Sequence, residues 1–483
     1  MTAARAGDPG RRRLIAVITL LAVVLIAAGI DRIDRPESDR GATATLSMPA
    51  AAPSSALSST WFCPGGTASG GGEAEGYVAV VNPGQTDAVG TVTVHPTEGE
   101  ARTVPLTVAA SSSVQLRYSE LAASPWRAVT VELGAGEVGV EQVISGPLGW
   151  SAAPCASQAS SEWYFGGGST ARENTLYLTL YNPFPDDAIA DLTFATSGGA
   201  TTPQAFRGVV IRGRSVSVLS VGEHVRRRDD VAGSIVARRG RLVVGRVQVR
   251  AASPTGLSYT LGAPSTDTSF VFPEGFVVDG VSERLNLYNP GDREAIVDVE
   301  MVLDEGVAEP WEIRIRPRER TLLDFGAEER VPKSVGHGLL VRSLNDIGIV
   351  AEQWITANTP SPRKGSSETL GATASATAWT FAAGSADGAW DEWITIQNTS
   401  AAEANVDLIV LADGRELAVE GLQDLVVAAG ARQTVRLGDH ISRSNLALLV
   451  RADQPVVAER AVFAVPGPGV SYSIGIPLGL RGR

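Results

Sequence analysis

The residues of this chain that could carry acid–base chemistry are few and widely spaced. Of the four histidines, His224 and His440 each follow a glycine and an acidic residue. An acid beside a histidine can hold a metal or act as a general base. These two histidines, however, occupy the same position in two different repeats of the chain, and equivalent positions in tandem domains lie far apart. We therefore expect two structural turns and no shared site.

Three glutamates, Glu141, Glu352 and Glu459, occupy one repeated position late in their repeats, and our alignment places Arg246 at that position in the second repeat. Glycoside hydrolysis needs two carboxyl groups that face each other within roughly 5–10 Å. One glutamate per repeat does not provide that pair. We expect these side chains to form exposed ion pairs with arginines on neighbouring strands.

Two glycine runs, 70–72 and 166–168, could be mistaken for phosphate-binding loops. Such a loop needs a following lysine and the start of a helix, and the sequence has neither here. We interpret both runs as flexible loops between strands. The sequence also lacks the G-x-S-x-G and H-E-x-x-H motifs of hydrolases and metalloproteases. We therefore predict a protein that is not an enzyme and that uses no cofactor and no metal.

Trp390 and Trp393 flank Asp391 and Glu392 and form the most distinctive local pattern in the chain. Aromatic rings beside carboxylates can hold a sugar by stacking and hydrogen bonding, whereas the same rings can also pack between domains. Both interpretations stay open, so we predict a ligand contact or a contact between repeats.

The chain has two cysteines, Cys63 and Cys155. An even number of cysteines in an oxidising compartment favours a disulfide, and here it would join the two ends of the first repeat. Two cysteines alone are too few for a structural zinc site.

The segment Leu14–Ile30 contains seventeen residues without a charge and follows Arg11–Arg13. A helix of this length rises about 25 Å, close to the thickness of a hydrocarbon core. The arginines place residues 1–13 in the cytoplasm and the rest of the chain outside. A cleaved signal peptide is the alternative. We favour an uncleaved single-pass anchor in the cell membrane, followed by a flexible Ala/Ser/Pro-rich linker at 31–60.

The formal net charge of the chain is −12, although its first thirty residues are basic. The part after the hydrophobic segment is therefore acidic. An acidic surface without a basic stripe disfavours nucleic acid as a partner.

Most of the chain consists of four copies of one pattern. We place their boundaries at 61–160, 161–266, 267–376 and 377–483. Each copy opens with an aromatic residue, and about twenty residues later a strand ends in asparagine. The openers are Trp61, Trp163, Phe270 and Trp379, and the asparagines are Asn82, Asn182, Asn289 and Asn398.

Apolar residues on both sides of each asparagine alternate with period two, which is typical of strands with one buried face. Each copy contains roughly seven short strands. This pattern predicts an all-β protein of four tandem immunoglobulin-like or fibronectin-like β-sandwich modules after one transmembrane helix. A closed β-propeller is the main alternative, but its repeats are typically about forty to fifty residues long. We therefore expect separate sandwiches with separate cores.

The motifs Tyr181-Asn182-Pro183 and Tyr288-Asn289-Pro290, together with the aromatic openers, support a family resemblance. The chain resembles an uncharacterised family of actinobacterial envelope proteins that have an N-terminal membrane helix and repeated "YNP" β modules. The resemblance implies an envelope location and no known activity.

These observations predict a non-enzymatic, membrane-anchored, extracytoplasmic interaction or scaffold protein of the cell envelope. Its partner would be an envelope protein or a glycan that the sequence does not identify. A carbohydrate-binding accessory protein of cell-wall or glycan biosynthesis is the alternative.

Overall fold

The turn after the second strand of each repeat is built by its asparagine. Asn182 Nδ2 donates hydrogen bonds to the carbonyls of Asp186 at 2.8 Å and Ile211 at 3.1 Å. Its Oδ1 accepts the N–H of Phe184 at 3.1 Å. The other three repeats make equivalent bonds, from Asn82, Asn289 and Asn398. The asparagine therefore fixes the turn by bonds to nearby backbone, with or without a following proline.

The computed structural model describes residues 47–67, 74–122, 124–304, 306 and 308–480. Nearly all regular structure in these ranges is antiparallel β-strand, which confirms the all-β class. The α-helix found there, α1, has four residues, Tyr118–Leu121. No helix in the described ranges is long and apolar enough to span a bilayer. The predicted anchor Leu14–Ile30 lies outside the described residues, as does the glycine run 70–72.

The first two repeats contain seventeen strands. The first has β1 (Ser59–Thr67), β2 (Glu75–Asn82), β3 (Ala88–Pro96), β4 (Arg102–Val108), β5 (Ser112–Arg117), β6 (Trp126–Leu133), β7 (Gly139–Gly146) and β8 (Gly149–Pro154). The second has β9 (Glu162–Phe165), β10 (Asn174–Asn182), β11 (Ala188–Thr196), β12 (Gly199–Thr201), β13 (Val209–Ile211), β14 (Ser215–Ser220), β15 (Ala232–Arg239), β16 (Val243–Arg250) and β17 (Gly256–Leu261).

The last two repeats follow the same plan. The third has β18 (Ser269–Phe276), β19 (Val281–Tyr288), β20 (Ala295–Leu303), β21 (Trp311–Ile315), β22 (Arg320–Asp324), β23 (Gly336–Ser343), β24 (Val350–Ala357) and β25 (Gly365–Leu370). The fourth has β26 (Ala376–Phe381), β27 (Ser385–Ala386), β28 (Trp390–Asn398), β29 (Ala404–Ala412), β30 (Arg415–Ala418), β31 (Leu425–Val427), β32 (Arg432–Arg436), β33 (Arg443–Ser444), β34 (Ala447–Ala464), β35 (Val470–Ile474) and β36 (Ile476–Pro477).

Each of the first three repeats contains two sheets. In the first repeat their orders are β1-β6-β3-β4 and β5-β2-β7-β8. In the fourth repeat the long strand β34 belongs to both layers, pairing with β29 through its first half and with β28 through its second half. Constant-type immunoglobulin domains have the orders ABED and CFG, in which the first strand pairs with the second. In the first and third repeats the first strand pairs with the sixth, and in no repeat does it pair with the second, so the likeness to that fold does not extend to the strand order.

The aromatic openers lie in the interior. Trp61, Trp163, Phe270 and Trp379 are each at most 2% exposed. The residues two places further on, Cys63, Phe165, Phe272 and Phe381, are equally buried, because alternate residues of a strand share one face. Cys63 and Cys155 form a disulfide, as predicted.

The last long strand of each repeat lies at a common axis. These inner strands, β8, β17, β25 and β35, pack side by side in a closed cyclic order. Each carries a Gly-x-Ser sequence whose serine Oγ accepts a backbone N–H from the next strand. The four bonds are Tyr259 N to Ser151 Oγ at 2.9 Å, Glu368 N to Ser258 Oγ at 3.1 Å, Tyr472 N to Ser367 Oγ at 2.8 Å and Ala152 N to Ser471 Oγ at 3.3 Å.

The glycine of this sequence permits the close approach. A Cβ on Gly256 would lie 2.6 Å from the backbone nitrogen of Ser366, and a Cβ on Gly365 would lie 2.7 Å from that of Val470. The four repeats therefore form a closed ring around the inner strands.

The expectation of separate cores is wrong in part. The second, third and fourth repeats each have a largely separate cluster, but the first repeat does not. One core cluster joins residues of the first repeat, such as Val80 and Val140, to Leu411 and Leu449 of the fourth. Further apolar clusters lie between the first and second, second and third, and third and fourth repeats. The period-two pattern identifies the face of each strand that is buried within its own repeat. It does not show that the opposite face can also be buried, against a neighbouring repeat.

Residues 47–52 pack against the ring, whereas we expected all of 31–60 to be a flexible linker. Met48 is 7% exposed and Ala51 is 4% exposed. Ala51 N donates to the Pro477 carbonyl at 3.0 Å, and Ala52 O accepts the N–H of Glu137 at 2.8 Å. The linker prediction therefore fails for 47–52 and for the first two residues of β1, whereas most of 53–58 is exposed and 31–46 lies outside the described residues.

Candidate functional site

The repeated glutamates are buried between repeats, so the expectation of exposed ion pairs is wrong. Glu141, Glu352 and Glu459 are 0%, 1% and 0% exposed. Each lies opposite the residue three places before its repeat's asparagine, and in the second repeat that register position belongs to Gly245. Our alignment of Arg246 with the glutamates was one residue out of register. Such a slip exchanges the two faces of a strand.

Each buried glutamate accepts hydrogen bonds from backbone in or just after the opening strand of the preceding repeat in the ring. Glu141 Oε2 accepts the N–H groups of Ala382 at 2.8 Å and Ala383 at 2.7 Å. Glu352 Oε2 accepts the N–H of Gly167 at 2.8 Å, and Glu459 Oε2 accepts that of Glu274 at 2.9 Å. The glycine run 166–168 is therefore a buried part of this interface, and our interpretation of it as a flexible loop is wrong.

Gly245 replaces the glutamate in the second repeat. The N–H in the first repeat that is equivalent to those of Gly167 and Glu274 belongs to Gly65, and it donates to Gln142 Oε1 at 3.2 Å. A Cβ on Gly245 would lie 2.9 Å from Pro64 Cγ. Thr179 Oγ1 and Tyr259 Cε2 would lie at 2.9 Å and 3.0 Å from the same Cβ, so this interface leaves no space for a side chain at position 245.

The residue after each of these positions binds the same opening strand within its own repeat. Gln142 Nε2 donates to the Gly65 carbonyl at 2.6 Å, and Gln353 Nε2 donates to the Glu274 carbonyl at 2.8 Å. In the second and fourth repeats this residue is an arginine, and it bonds to a carbonyl of the same kind. These arginines are Arg246, bound to Gly167 O, and Arg460, bound to Ala383 O.

The arginines also pair with the buried glutamates of the next repeat. Arg246 Nη1 lies 2.8 Å from Glu352, and Arg460 Nη2 lies 2.9 Å from Glu141. Burial opposes the charge on Arg246, but Glu352 and Glu368 outweigh it and hold the pKa of Arg246 above its usual value. The Glu141–Arg460 pair joins the first repeat to the fourth and so closes the ring.

Trp390 and Trp393 lie in two different grooves on either side of the fourth repeat. Trp390 lines a cavity of about 260 Å³ against the first repeat. Trp393 lines a cavity of about 550 Å³ against the third repeat. We call these the fourth–first groove and the third–fourth groove. The two tryptophans are therefore in contact with neighbouring repeats and do not share one site.

The third–fourth groove has a mainly apolar wall. Its apolar lining comes from both repeats, namely Phe276, Val278, Val281, Ile355, Ala357, Pro362, Trp393, Ala461, Phe463, Val470 and Tyr472. Arg363 stacks on the Phe463 ring, with its guanidinium carbon 3.5 Å from the ring centroid. A cavity of this size and composition is typical of small-molecule sites.

Ion pairs lie at two separate places in the third–fourth groove. The Arg432 guanidinium, 1% exposed, lies 2.6 Å from Glu274 and 3.1 Å from Asp304. Arg363 lies 3.6 Å from Asp391. The two arginines of the lining are thus matched by carboxylates.

The fourth–first groove is smaller and more polar. The rings of Trp150 and Trp390 lie 5.9 Å apart at a tilt of 52°, and Trp150 Nε1 donates to the Tyr77 hydroxyl at 3.4 Å. Its polar lining consists of Glu75, Gln115, Arg117, Ser145, Ser385, Asp387, Ser444 and Asn445. Glu392 lies beneath this groove, where burial raises its pKa to about 8 despite the opposing charge of Arg460.

The histidines are dispersed. His224 and His440 are exposed, and each N–H ends a short 3₁₀ turn, at Val221 O and Leu437 O. His337 is buried and lies 2.8 Å from Glu283, which raises the pKa of His337 although burial acts to lower it. No group of three or more His, Cys, Asp or Glu side chains in the described ranges is placed to hold a metal ion.

Sequence reasoning missed the ring-closing residues. The Gly-x-Ser sequences beginning at Gly149, Gly256, Gly365 and Gly469 were a detectable signal, since each lies about ten residues after the repeated glutamate or its equivalent. The arginine and glutamine positions beside the glutamates had no such signal, because their residue type changes from repeat to repeat.

Comparison with known proteins finds an uncharacterised family and weak structural likenesses. The model of DUF5719, a family of unknown function, matches residues 142–357. No curated protein matches the chain. Thermotoga maritima 1070 is 18% identical with a TM-score of 0.20, over 22% of this chain and 93% of that one. The Anabaena sensory rhodopsin transducer is 19% identical with a TM-score of 0.16, over 18% of this chain and 92% of that one.

The DUF5719 match runs from the seventh strand of the first repeat to the seventh strand of the third. It agrees with the resemblance to an uncharacterised family. The actinobacterial origin and the "YNP" module stay predictions.

Proposed function

We propose that this chain is a non-enzymatic interaction or scaffold protein of the cell envelope. Leu14–Ile30 would anchor it in the membrane as a single span, with residues 1–13 in the cytoplasm and the four sandwich modules outside. The observation that carries this proposal is the closed ring, in which the buried glutamates bind neighbouring backbone and so serve assembly. The Cys63–Cys155 disulfide supports an oxidising compartment.

The ring has two distinct ends, which gives the proposed scaffold an orientation. Ser47, Met48 and Pro49 lie with the last residues of the inner strands at one end of the axis. The two grooves involve the first residues of inner strands, such as Trp150 and Val470. Ser47 and the two grooves therefore lie at opposite ends of the ring axis.

The test of the anchor is protease treatment of intact cells together with sequencing of the mature N-terminus. We expect the protease to digest the repeats at high concentration and the N-terminus to retain Arg11–Arg13. A cytoplasmic protein of the same cells is the control for lysis. Repeats that are digested only after lysis, or a mature chain that begins beyond Ile30, would contradict the single-pass anchor.

The test of the scaffold is cross-linking in intact cells followed by purification of the tagged chain. Specific envelope partners should be recovered with the wild-type chain and lost when Glu141→Gln weakens ring closure. Glu416→Gln, which affects an exposed ion pair with Arg451 at 2.6 Å, is the matched control. Recovery of the same proteins with both variants would speak against recognition by the assembled ring.

Carbohydrate binding is the second candidate, and the fourth–first groove favours it. Tyr77, Trp150 and Trp390 supply aromatic rings, and carboxylate, amide and hydroxyl groups surround them. Titration with cell-wall oligosaccharides should detect binding that Trp390→Ala abolishes. Trp393→Ala, three residues away but in the other groove, should leave it unchanged. Equal effects of the two substitutions would argue against this groove.

A further inference from the structure

We propose that the third–fourth groove binds a neutral amphiphile, with the alkyl chain against the apolar wall and a hydroxyl-bearing head beside Arg432 and Asp304. This inference goes beyond a scaffold role, because it assigns a small-molecule ligand to a specific cavity. The proposed carbohydrate site lies in the other groove, the fourth–first groove.

The apolar wall matches an alkyl chain. The cavity measures about 550 Å³, and side chains from both repeats line it without filling it. Phe276, Val278 and Val281 are half-buried, so their outer surfaces are available to a ligand. Ile355 and Phe463, at 2% and 3% exposure, form the deeper part. Covering apolar surface from water favours binding in proportion to the area covered.

The charges of the groove point to a neutral head group. Arg432 is paired with Glu274 and Asp304, and Arg363 is paired with Asp391 while it stacks on Phe463. An anionic head would compete with these carboxylates for the arginines, and a cationic head would compete with the arginines for the carboxylates. A neutral polyol can instead bond to the existing pairs without displacing them.

Hydrogen-bonding groups for such a head lie at the same side of the groove. The Asp304 side chain is 46% exposed and can accept from a hydroxyl while it remains paired with Arg432. Thr434, which bonds to Arg432, and the exposed Ser334 also line the cavity and carry hydroxyl groups. The groove thus offers an apolar wall and a polar margin that suit the two parts of an alkyl glycoside.

The experiment is photo-cross-linking of the full-length protein in lipid nanodiscs with an alkyl glucoside that carries a diazirine in its chain. Mapped cross-links should fall in 274–281, 355–363 and 461–472. Hexyl, octyl and decyl glucosides at known free concentrations should compete, each added methylene lowering the half-maximal concentration about fourfold. Glucose alone should not compete, and decanoate should compete more weakly than decyl glucoside.

Two variants locate the site. Val281→Trp fills the groove from a half-buried position and should remove these cross-links. Val210→Trp, at a 54% exposed position of the second repeat, should leave them unchanged. The proposal is overturned if Val281→Trp labels as strongly as wild type at the same peptides, if chain length has no effect, or if glucose competes as well as octyl glucoside. Stronger competition by decanoate would overturn the neutral head group.

Discussion

Replacing Glu141 by glutamine should destabilise the whole ring, because it leaves the Arg460 charge buried and unpaired. Both side chains are 0% exposed, and Arg460 contacts Glu141 through both terminal nitrogens, at 2.9 Å and 3.2 Å. The remaining partners of Arg460 are Ala383 O and Ser473 Oγ, which are neutral. Breaking a buried ion pair by removing one charge typically costs about 3–5 kcal/mol.

Removing both charges should cost less than removing either one. Gln142 is the equivalent of Arg460 in the first repeat and donates to the equivalent carbonyl, Gly65 O. Arg460→Gln can therefore preserve the bond to Ala383 O, and in the double variant Glu141→Gln can still accept an N–H from Ala382. A double-mutant cycle should give a coupling energy of about 3 kcal/mol or more between these residues.

The assay is guanidinium unfolding followed by fluorescence, with calorimetry to count the transitions. Glu416→Gln is the control, since its partner Arg451 is 47% exposed and such surface pairs contribute about 1 kcal/mol or less. If Glu141→Gln costs no more than Glu416→Gln, or if the two charge removals are additive, the buried pair does not close the ring as argued.

Trp379→Ala should lower the free energy of unfolding by about 3–5 kcal/mol, because the side chain is 0% exposed and its Nε1 donates to Val456 O at 2.9 Å. Calorimetry should show the loss as one cooperative transition of the whole ring. An isolated early transition of the fourth repeat would contradict shared cores. Replacing Cys63 and Cys155 by alanine should lower stability by up to about 4–5 kcal/mol in the chain-entropy model, since the bridge joins residues 92 apart; unchanged unfolding in the double variant would refute this. Burial raises the pKa of Glu392 from 4.5 to about 8, so the folded protein keeps a proton that the unfolded chain loses above about pH 4.5. This contribution to stability is therefore lost as the pH rises toward 8. Glu392→Gln should reduce the fall in the free energy of unfolding between pH 5 and 8. Parallel pH profiles of the variant and the wild type would refute the assignment.

Local rules explain why much of the fold could be predicted from the sequence. Alternation of apolar residues around Asn182 and its equivalents specifies strands with one buried face, and the asparagine side chain builds its turn from bonds within about thirty residues. The paired cysteines likewise required only a count and a compartment. Each of these features depends on chemistry close in sequence or on a repeated pattern, so the sequence carried the information directly.

Closure of the ring and the placement of the candidate sites required the tertiary structure. Glu141 is buried by Arg460 and by the backbone of Ala382 and Ala383, more than two hundred residues away in sequence, and no local pattern identifies such partners. The assignment of Arg246 failed by one register position, which on a strand reverses the face that a side chain occupies.

Trp390 and Trp393 show the same division between the two sources of information. Their sequence predicted a ligand contact or a contact between repeats, but only the packing of the fourth repeat against two neighbours placed them in separate grooves. The sequence by itself determined the strands, the turns, the buried openers and the disulfide, because short-range periodicity and residue type encode them. The tertiary structure decided which polar residues became buried partners and where cavities opened, because both depend on surfaces that meet only when the ring closes.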